Sequence, residues 1–271
     1  MYEKGTEEMK RIDNCHVVIT GASSGIGKEL AFAVAARGGT PVMLARSRDR
    51  LFELAEEMEK QTGIVPLVHQ MDVTDPTAVE NTFSHIGKQV DKIDVLINNA
   101  GFGIFEYAHK TTLETMKSMF DVNVFGAVSC TQAVLGDMMT RRGGHIIFVA
   151  SQAGKLATPK SSAYSATKHA LLGYANSLRM EVAASGIRVS VVNPGPVRTS
   201  FFDNADRDGN YRQNVESFML DPIKVADKTI KLIEKPKREV NLPGWMNIGT
   251  KLYQLFPGLV EKVAGKQFHR K

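Results

Sequence analysis

Cysteine is nearly absent. Cys15 and Cys130 are the only two in 271 residues, neither at metal-ligand spacing, so a disulfide framework is excluded and two buried thiols in a reducing compartment are expected. Long apolar runs are missing too: no stretch approaches the roughly 18 residues of a spanning helix. The first residues, Met1 to Glu8, lack the apolar core of a secretory signal, so the expected location is cytoplasmic. Repeats, low-complexity tracts and linkers that would mark a second domain do not occur. His85, His109 and His145 are expected to be surface or structural residues, and no metal centre is expected.

A strong charge of either sign is also missing from most of the chain. The net charge is +5, but from Lys224 to Lys271 eleven Lys/Arg stand against four Asp/Glu, an excess of +7, which leaves −2 for the first 223 residues. No basic stripe with a nucleic-acid reading motif is visible, so that class of partner is set aside.

What the chain does have is alternation. Short β-branched runs at His16 to Thr20, Pro41 to Leu44, Val65 to His69, Val95 to Asn98, His145 to Ala150, Ile187 to Val192 and, more weakly, Arg238 to Leu242 read as strands. Helical periods separate them: Ile26 to Arg37, Arg48 to Gln61, Pro76 to Lys88, Leu113 to Asp121, Asn123 to Arg141, Ser162 to Ala184 and Pro222 to Glu234. Strands alternating with helices predict parallel βαβ units in one doubly wound α/β sheet, with 1–271 as a single domain. Gly38-Gly39, Gly63, Gly143-Gly144 and Gly186 fall just after helices, where a left-handed cap is wanted.

Chemistry-bearing residues gather where those strands end. After the first strand, Thr20-Gly21-Ala22-Ser23-Ser24-Gly25-Ile26-Gly27 opens a helix; such a turn lets the backbone approach a pyrophosphate, although it also serves as a tight corner. Asp72-Val73 follow the third strand, Asn98-Asn99-Ala100-Gly101 the fourth, and Asn123 lies at the next helix. Ser151 follows the fifth strand, then Tyr164 and Lys168, then Asn193-Pro194-Gly195-Pro196-Val197-Arg198-Thr199 after the sixth. Tyr164 and Lys168, four apart on a helix, share one face, where a positive charge draws the phenol down from its usual value of about 10. A drop of about three units needs ~4 kcal/mol, more than an exposed ion pair supplies, so a cationic cofactor ring or a desolvated pocket is expected to contribute.

This ordered series resembles the short-chain dehydrogenase/reductase family over roughly residues 14 to 200. The resemblance implies a Rossmann-type sheet of about seven strands with helices on both faces, its core running over about 14–242. It implies that Gly21, Gly25 and Gly27 shape a pyrophosphate site beside Ile26, that Asp72 and Val73 hold adenine, and that Asn99, Ala100 and Gly101 line the ribose side. Tyr164 would be the general acid of a carbonyl reduction, Ser151 would orient the substrate oxygen, and Lys168 would bind the nicotinamide ribose. Asn123 would anchor a water leading from Lys168 toward solvent, while Pro194, Gly195, Val197 and Thr199 would fix the carboxamide. His169, beside Lys168 in sequence, should face elsewhere because neighbouring helix positions diverge by about 100°.

Cofactor choice turns on the end of the second strand. Ala45-Arg46-Ser47 carries no carboxylate, and an arginine there pairs with the 2′-phosphate of NADP, with Ser23 and Ser47 supplementing it. NADP(H) is expected, acting on a small or lipophilic carbonyl or alcohol. A 3-oxoacyl carrier-protein reductase and a non-catalytic NADPH-binding regulator are the alternatives. A lid is expected over about 200–220, which includes Phe201-Phe202, and a homodimer or homotetramer through the helices from Asn123 and Ser162. In the C-terminal extension, 245–271, Trp245, Ile248, Leu252, Leu255 and Leu259 form an apolar stripe among Lys251, Lys262, Lys266, Arg270 and Lys271. Packing over the pocket or across a subunit contact is expected there rather than a peripheral membrane contact.

Overall fold

The computed structural model describes residues 12–206 and 209–268; the start of the chain, two positions of the expected lid, and Arg270 and Lys271 lie outside them. Seven strands form one parallel sheet: β1 (His16–Thr20), β2 (Thr40–Ala45), β3 (Leu67–Gln70), β4 (Val95–Asn98), β5 (Gly144–Val149), β6 (Ile187–Pro194) and β7 (Glu239–Leu242). Their order across the sheet is β3-β2-β1-β4-β5-β6-β7. The order reverses between β1 and β4, which register as Val17 against Val95 and Ile19 against Ile97. Open α/β sheets bind ligands at this reversal, outside the carboxyl ends of the strands.

Alternation along the strands builds the two layers that flank the sheet. Val18, Leu96, Ile146 and Phe148 point into one core, shared with α3 (Pro76–Gln89), α5 (Ala127–Thr140) and α6 (Ser162–Glu181). Val17, Ile19, Val95, Ile97 and Ile147 point into the other, shared with α1 (Gly25–Ala35), α2 (Arg48–Thr62) and α9 (Pro222–Glu234). A strand covered on both faces has to be apolar at successive positions, which is why these runs are continuous.

Three local expectations are corrected. Helix α4 (Leu113–Phe120) does not stop before Asn123 but passes through a π-helical turn, Asp121–Gly126, directly into α5. The left-handed position after α5 is taken by Arg142 (φ 53°) rather than Gly143. Of the two cysteines, Cys130 is buried, with its thiol pushed up to about 12 by desolvation, whereas Cys15 is only partly buried.

Four more helices follow β6 in the regions of the expected lid and extension. They are α7 (Phe201–Ala205), α8 (Asn210–Val215), α10 (Met246–Leu255) and α11 (Pro257–Phe268). The ends of the 197–220 segment are joined by a bridge between Val197 and Leu220, and α7 is held by a bond from Phe105 N–H to the Ala205 carbonyl at 2.8 Å.

Candidate active site

The glycine turn is built by mutual packing. Gly21 adopts φ +66°, and a Cβ there would stand 2.9 Å from Ala100 Cα; a Cβ on Gly27 would stand 2.1 Å from the Gly21 carbonyl oxygen. Asn99 locks the turn from β4, its Nδ2 donating to the carbonyls of Thr20 at 2.9 Å and Gly21 at 3.3 Å. Thr20, the first residue of the glycine motif and given no role in the sequence reading, accepts at Oγ1 from the N–H groups of Asn99 and Ala100, both at 3.0 Å. Beyond the turn, the N-cap Ser24 makes no side-chain cap bond and the first turn of α1 holds no acidic residue. Its free N–H groups and positive dipole end therefore present themselves to an anion.

That helix end opens into a cleft of about 1180 Å³ along the strand termini. Gly21, Ser23, Ser24, Gly25 and Ile26 line one part of it, with Arg46 and Ser47, Asp72 and Val73, and Asn99, Ala100 and Gly101 alongside. Ser151, Tyr164, Lys168, Pro194, Gly195, Val197 and Thr199 line the rest of the sequence-derived set. Two of the expected residues stay out of the lining. Gly27 is buried in the turn, and Asn123, 1% exposed, sits inside the π-helical turn.

Asn123 is a brace in this arrangement. Its Oδ1 accepts from Phe102 N–H at 2.9 Å, and its Nδ2 donates to the Phe102 carbonyl at 2.8 Å and to Thr167 Oγ1 at 3.0 Å. Both amide hydrogens are thereby committed to protein, leaving the side chain only acceptor capacity toward a water.

Tyr164 and Lys168 share a face of α6 as their spacing requires, with Lys168 Nζ 5.7 Å from the phenol ring centroid and donating to the Val149 carbonyl at 3.1 Å. Both are nearly sealed, at 8% and 5% exposure. Burial pushes the Tyr164 phenol up to about 12, against a lowering contribution from its hydrogen bond with Ser151, and brings the Lys168 ammonium down to about 8. The expectation that a desolvated pocket would help depress the tyrosine thus has the wrong sign. Removing water penalises the charged form of either group, phenolate or ammonium. Ser151 caps a short turn through the Ala153 N–H at 3.1 Å, which fixes its hydroxyl beside the phenol. His169 faces away, its Nδ1 2.8 Å from the Ser165 carbonyl.

Aromatic rings close the cleft over Tyr164. Phe105 and Phe201 each stand 5.7 Å from it, centroid to centroid, and Tyr211 lies 4.8 Å from Phe105. Phe201 and Phe202, singled out in the sequence, line the cleft as expected, but Phe102, Phe105 and Leu156, which line it too, were missed. The repeated Gly-Phe-Gly-Ile-Phe after Ala100 was the available signal. The C-terminal stripe does not pack over the pocket: Trp245 and Met246 reach the cleft, while Ile248, Leu252, Leu255 and Leu259 face outward.

Comparison with known proteins agrees with this geometry. Residues 15–210 match the family described as short chain dehydrogenase. The zebrafish (Danio rerio) dehydrogenase/reductase SDR family member 7B is 35% identical over 258 residues, spanning 91% of this chain and 83% of that protein. Among solved structures, an alcohol dehydrogenase from the archaeon Thermococcus sibiricus, complexed with 5-hydroxy-NADP, superposes with a TM-score of 0.77 at 27% identity, over 85% of this chain and 96% of that one. A Burkholderia phymatum short chain dehydrogenase/reductase in complex with NAD gives a TM-score of 0.85 over 93% and 96% of the two chains. At 23% identity that last likeness speaks for the fold.

Proposed function

The chain belongs to the short-chain dehydrogenase/reductase family, and we propose that within it this protein is an NADP(H)-dependent reductase of lipophilic carbonyl compounds. The observation that carries the cofactor assignment is Arg46, exposed on the cleft wall after β2 with Ser47 beside it and no carboxylate at that strand end. A guanidinium there favours a 2′-phosphate over a bare ribose. The rest of the cofactor fits the residues present: the uncapped start of α1 suits the pyrophosphate, and Gly21 leaves room where a side chain would meet Ala100.

When bound, the nicotinamide supplies or accepts the hydride. Tyr164 holds at Oη the proton taken up by the reduced substrate oxygen, and Ser151 hydrogen-bonds that oxygen to set its position. Lys168, anchored on the Val149 carbonyl, places a cation next to the phenol and would hold the nicotinamide ribose. Val197 and Thr199, on the cleft wall, would hold the carboxamide side. Phe102, Phe105, Phe201 and Phe202 exclude water from the reacting atoms and make the substrate end apolar. Exposed Phe125, Met139 and Met180 on the π-helical turn, α5 and α6 suit a homodimer or homotetramer contact.

The test is NADPH and NADH oxidation by the purified protein across aliphatic, alicyclic and aromatic ketones, aldehydes, quinones and 3-oxoacyl thioesters. Turnover with NADPH that rises with the apolar bulk of the ketone supports the assignment. Turnover confined to 3-oxoacyl thioesters, or absent throughout, would refute it.

A further inference from the structure

Helices α10 and α11 form a hairpin beside the cleft mouth, where Trp245 and Met246 line the opening and Phe218 meets Trp245 edge-on at 6.5 Å. Thr250, 2% exposed, turns into the protein body. Ile248 and Leu252 lie two positions either side of it, about 200° around the helix, and are 67% and 49% exposed. Leu255, Phe256, Leu259 and Val263 continue the same surface at 71%, 56%, 62% and 78% exposure. The surface is contiguous, because Leu252, Phe256, Leu259 and Val263 wall a single groove between the two helices. Large apolar side chains gathered this way on an outer surface mark an interaction site.

Charge decides what covers it. After Trp245 the chain carries Lys251, Lys262, Lys266, Arg270 and Lys271 against a single acidic residue, Glu261, and Lys251 and Lys262 are exposed beside the apolar surface. A second copy packed hairpin to hairpin would bring two cationic segments together, whereas an anionic surface gains from each lysine. No helix among the described residues is long and apolar enough to cross a membrane. An amphipathic hairpin of this length lies in the plane of an interface.

We propose that the α10–α11 hairpin docks the protein on an anionic lipid surface, its apolar face in the headgroup boundary and the cleft mouth beside Trp245 opening at that boundary. A lipophilic substrate would then pass from bilayer to cleft without crossing water. The docking stands on the hairpin alone; only the passage of substrate rests on the proposed oxidoreductase reading, and vesicle binding is measured without it.

Full-length protein is sedimented with vesicles of phosphatidylcholine, or of phosphatidylcholine with phosphatidylserine, at low and high salt. The emission of Trp245, the one tryptophan in the chain, is followed in parallel. The expected result is binding to the anionic vesicles with a blue shift of Trp245, and release as salt shortens the screening length to about 3 Å at 1 M. Lys251→Gln with Lys262→Gln should weaken this partition about 30-fold at low salt. Ile248→Ser, Leu255→Ser and Leu259→Ser together should abolish it while leaving the melting temperature and turnover of a water-soluble ketone unchanged, which separates failed docking from failed folding or chemistry. No binding to anionic vesicles, or equal binding to neutral ones, would overturn the proposal. So would concentration-dependent self-association, lost in the triple variant, that replaces vesicle binding.

Discussion

Replacing Arg46 with alanine probes the cofactor assignment at one atom group. The guanidinium stands in solvent at the cleft wall, while its main-chain carbonyl is held independently by Gln70 Nε2 at 2.9 Å. Among the described residues Arg46 has no ion-pair partner, so the substitution removes one cation and leaves the turn's hydrogen bond in place. Arg48, the next cation, stacks over the Phe52 ring at 5.4 Å and is turned to that contact. A charge-assisted hydrogen bond contributes ~1.5–3 kcal/mol, and solvent screening at an exposed site puts the expected value at the lower end. NADPH affinity should therefore fall roughly 10-fold, with about 100-fold as the ceiling. NADH affinity should stay the same, because a ribose hydroxyl offers the arginine no charge. Titration calorimetry of both cofactors into both proteins at two salt concentrations measures this, and the wild-type preference should shrink as salt rises. Equal loss for NADPH and NADH would show that Arg46 supports the turn instead of reading a phosphate. Equal affinities in the wild type would refute the assignment itself.

Tyr164→Phe should lower turnover about 100-fold or more while leaving the NADPH Kd nearly unchanged, since it deletes the proton donor and little cofactor contact; retained turnover would overturn the role. Acid stability should depend on His145, which is 4% exposed and held by burial at about 4, below its usual 6.5. The unfolded chain takes up that proton first, so stability present above pH 6.5 should drain away as pH falls toward 4, by ~3 kcal/mol. Denaturant melts of wild type and His145→Gln across that range should differ in slope, and parallel curves would rule the histidine out. With the Tyr164 phenol at about 12 and the Lys168 ammonium at about 8, ketone reduction should be flat from about pH 6 to 7 and decline only as Lys168 discharges around pH 8. Alcohol oxidation should climb with pH over the same range, and a reduction rate that falls with an apparent pKa near 7 would contradict the buried phenol.

The His145 assignment follows from a short chain of donors. Ser190 Oγ donates to the Lys237 carbonyl at 2.6 Å, so the 2.8 Å contact between that hydroxyl and His145 Nε2 has the ring as donor. The second nitrogen, Nδ1, is then the unprotonated one, and it is buried without a hydrogen-bond partner among the described residues. Burial is the main cause of the low value and the nearby Arg188 charge adds to it, and a proton placed on Nδ1 gains no acceptor that would offset them.

Strands and cleft residues were legible because both obey local rules. A doubly covered strand must be apolar throughout, and an open sheet presents its strand ends on one side, so order along the chain placed Gly21, Asp72, Asn99, Ser151 and Pro194 together. The π-helical turn at Asp121–Gly126 was not legible, since one extra residue in a helical ladder leaves the apolar period almost intact, and Asn123 read as a helix start. Nor was the Phe105 wall, which meets Phe201 only once the loops after β4 and β6 are folded over the same strand ends. Periodicity in the C-terminal segment showed that Ile248, Leu252 and Leu255 share a face, but it carried no information on whether that face turns inward. Thr250 settled the direction by being the buried one.

The sign of the Tyr164 shift bears on how the site works. A phenol held at about 12 is fully protonated at neutral pH, which is the state a proton donor needs, and a newly formed substrate alkoxide is a far stronger base than phenolate, so transfer from Oη runs downhill without any prior depression of the tyrosine. Depression matters for the reverse reaction, where phenolate must exist before the alcohol proton is taken. There Lys168 works against its own burial: at about 8 it retains most of its charge at neutral pH and loses it as the medium becomes basic enough to favour phenolate. Phe105 and Phe201 tighten the asymmetry, because rings packed against the phenol keep out the water that would stabilise either ion. On the proposed reductive assignment, a protonated phenol packed against Phe105 and Phe201 is the donor state, whereas the oxidative direction would need the positive charge of a bound nicotinamide to offset that burial.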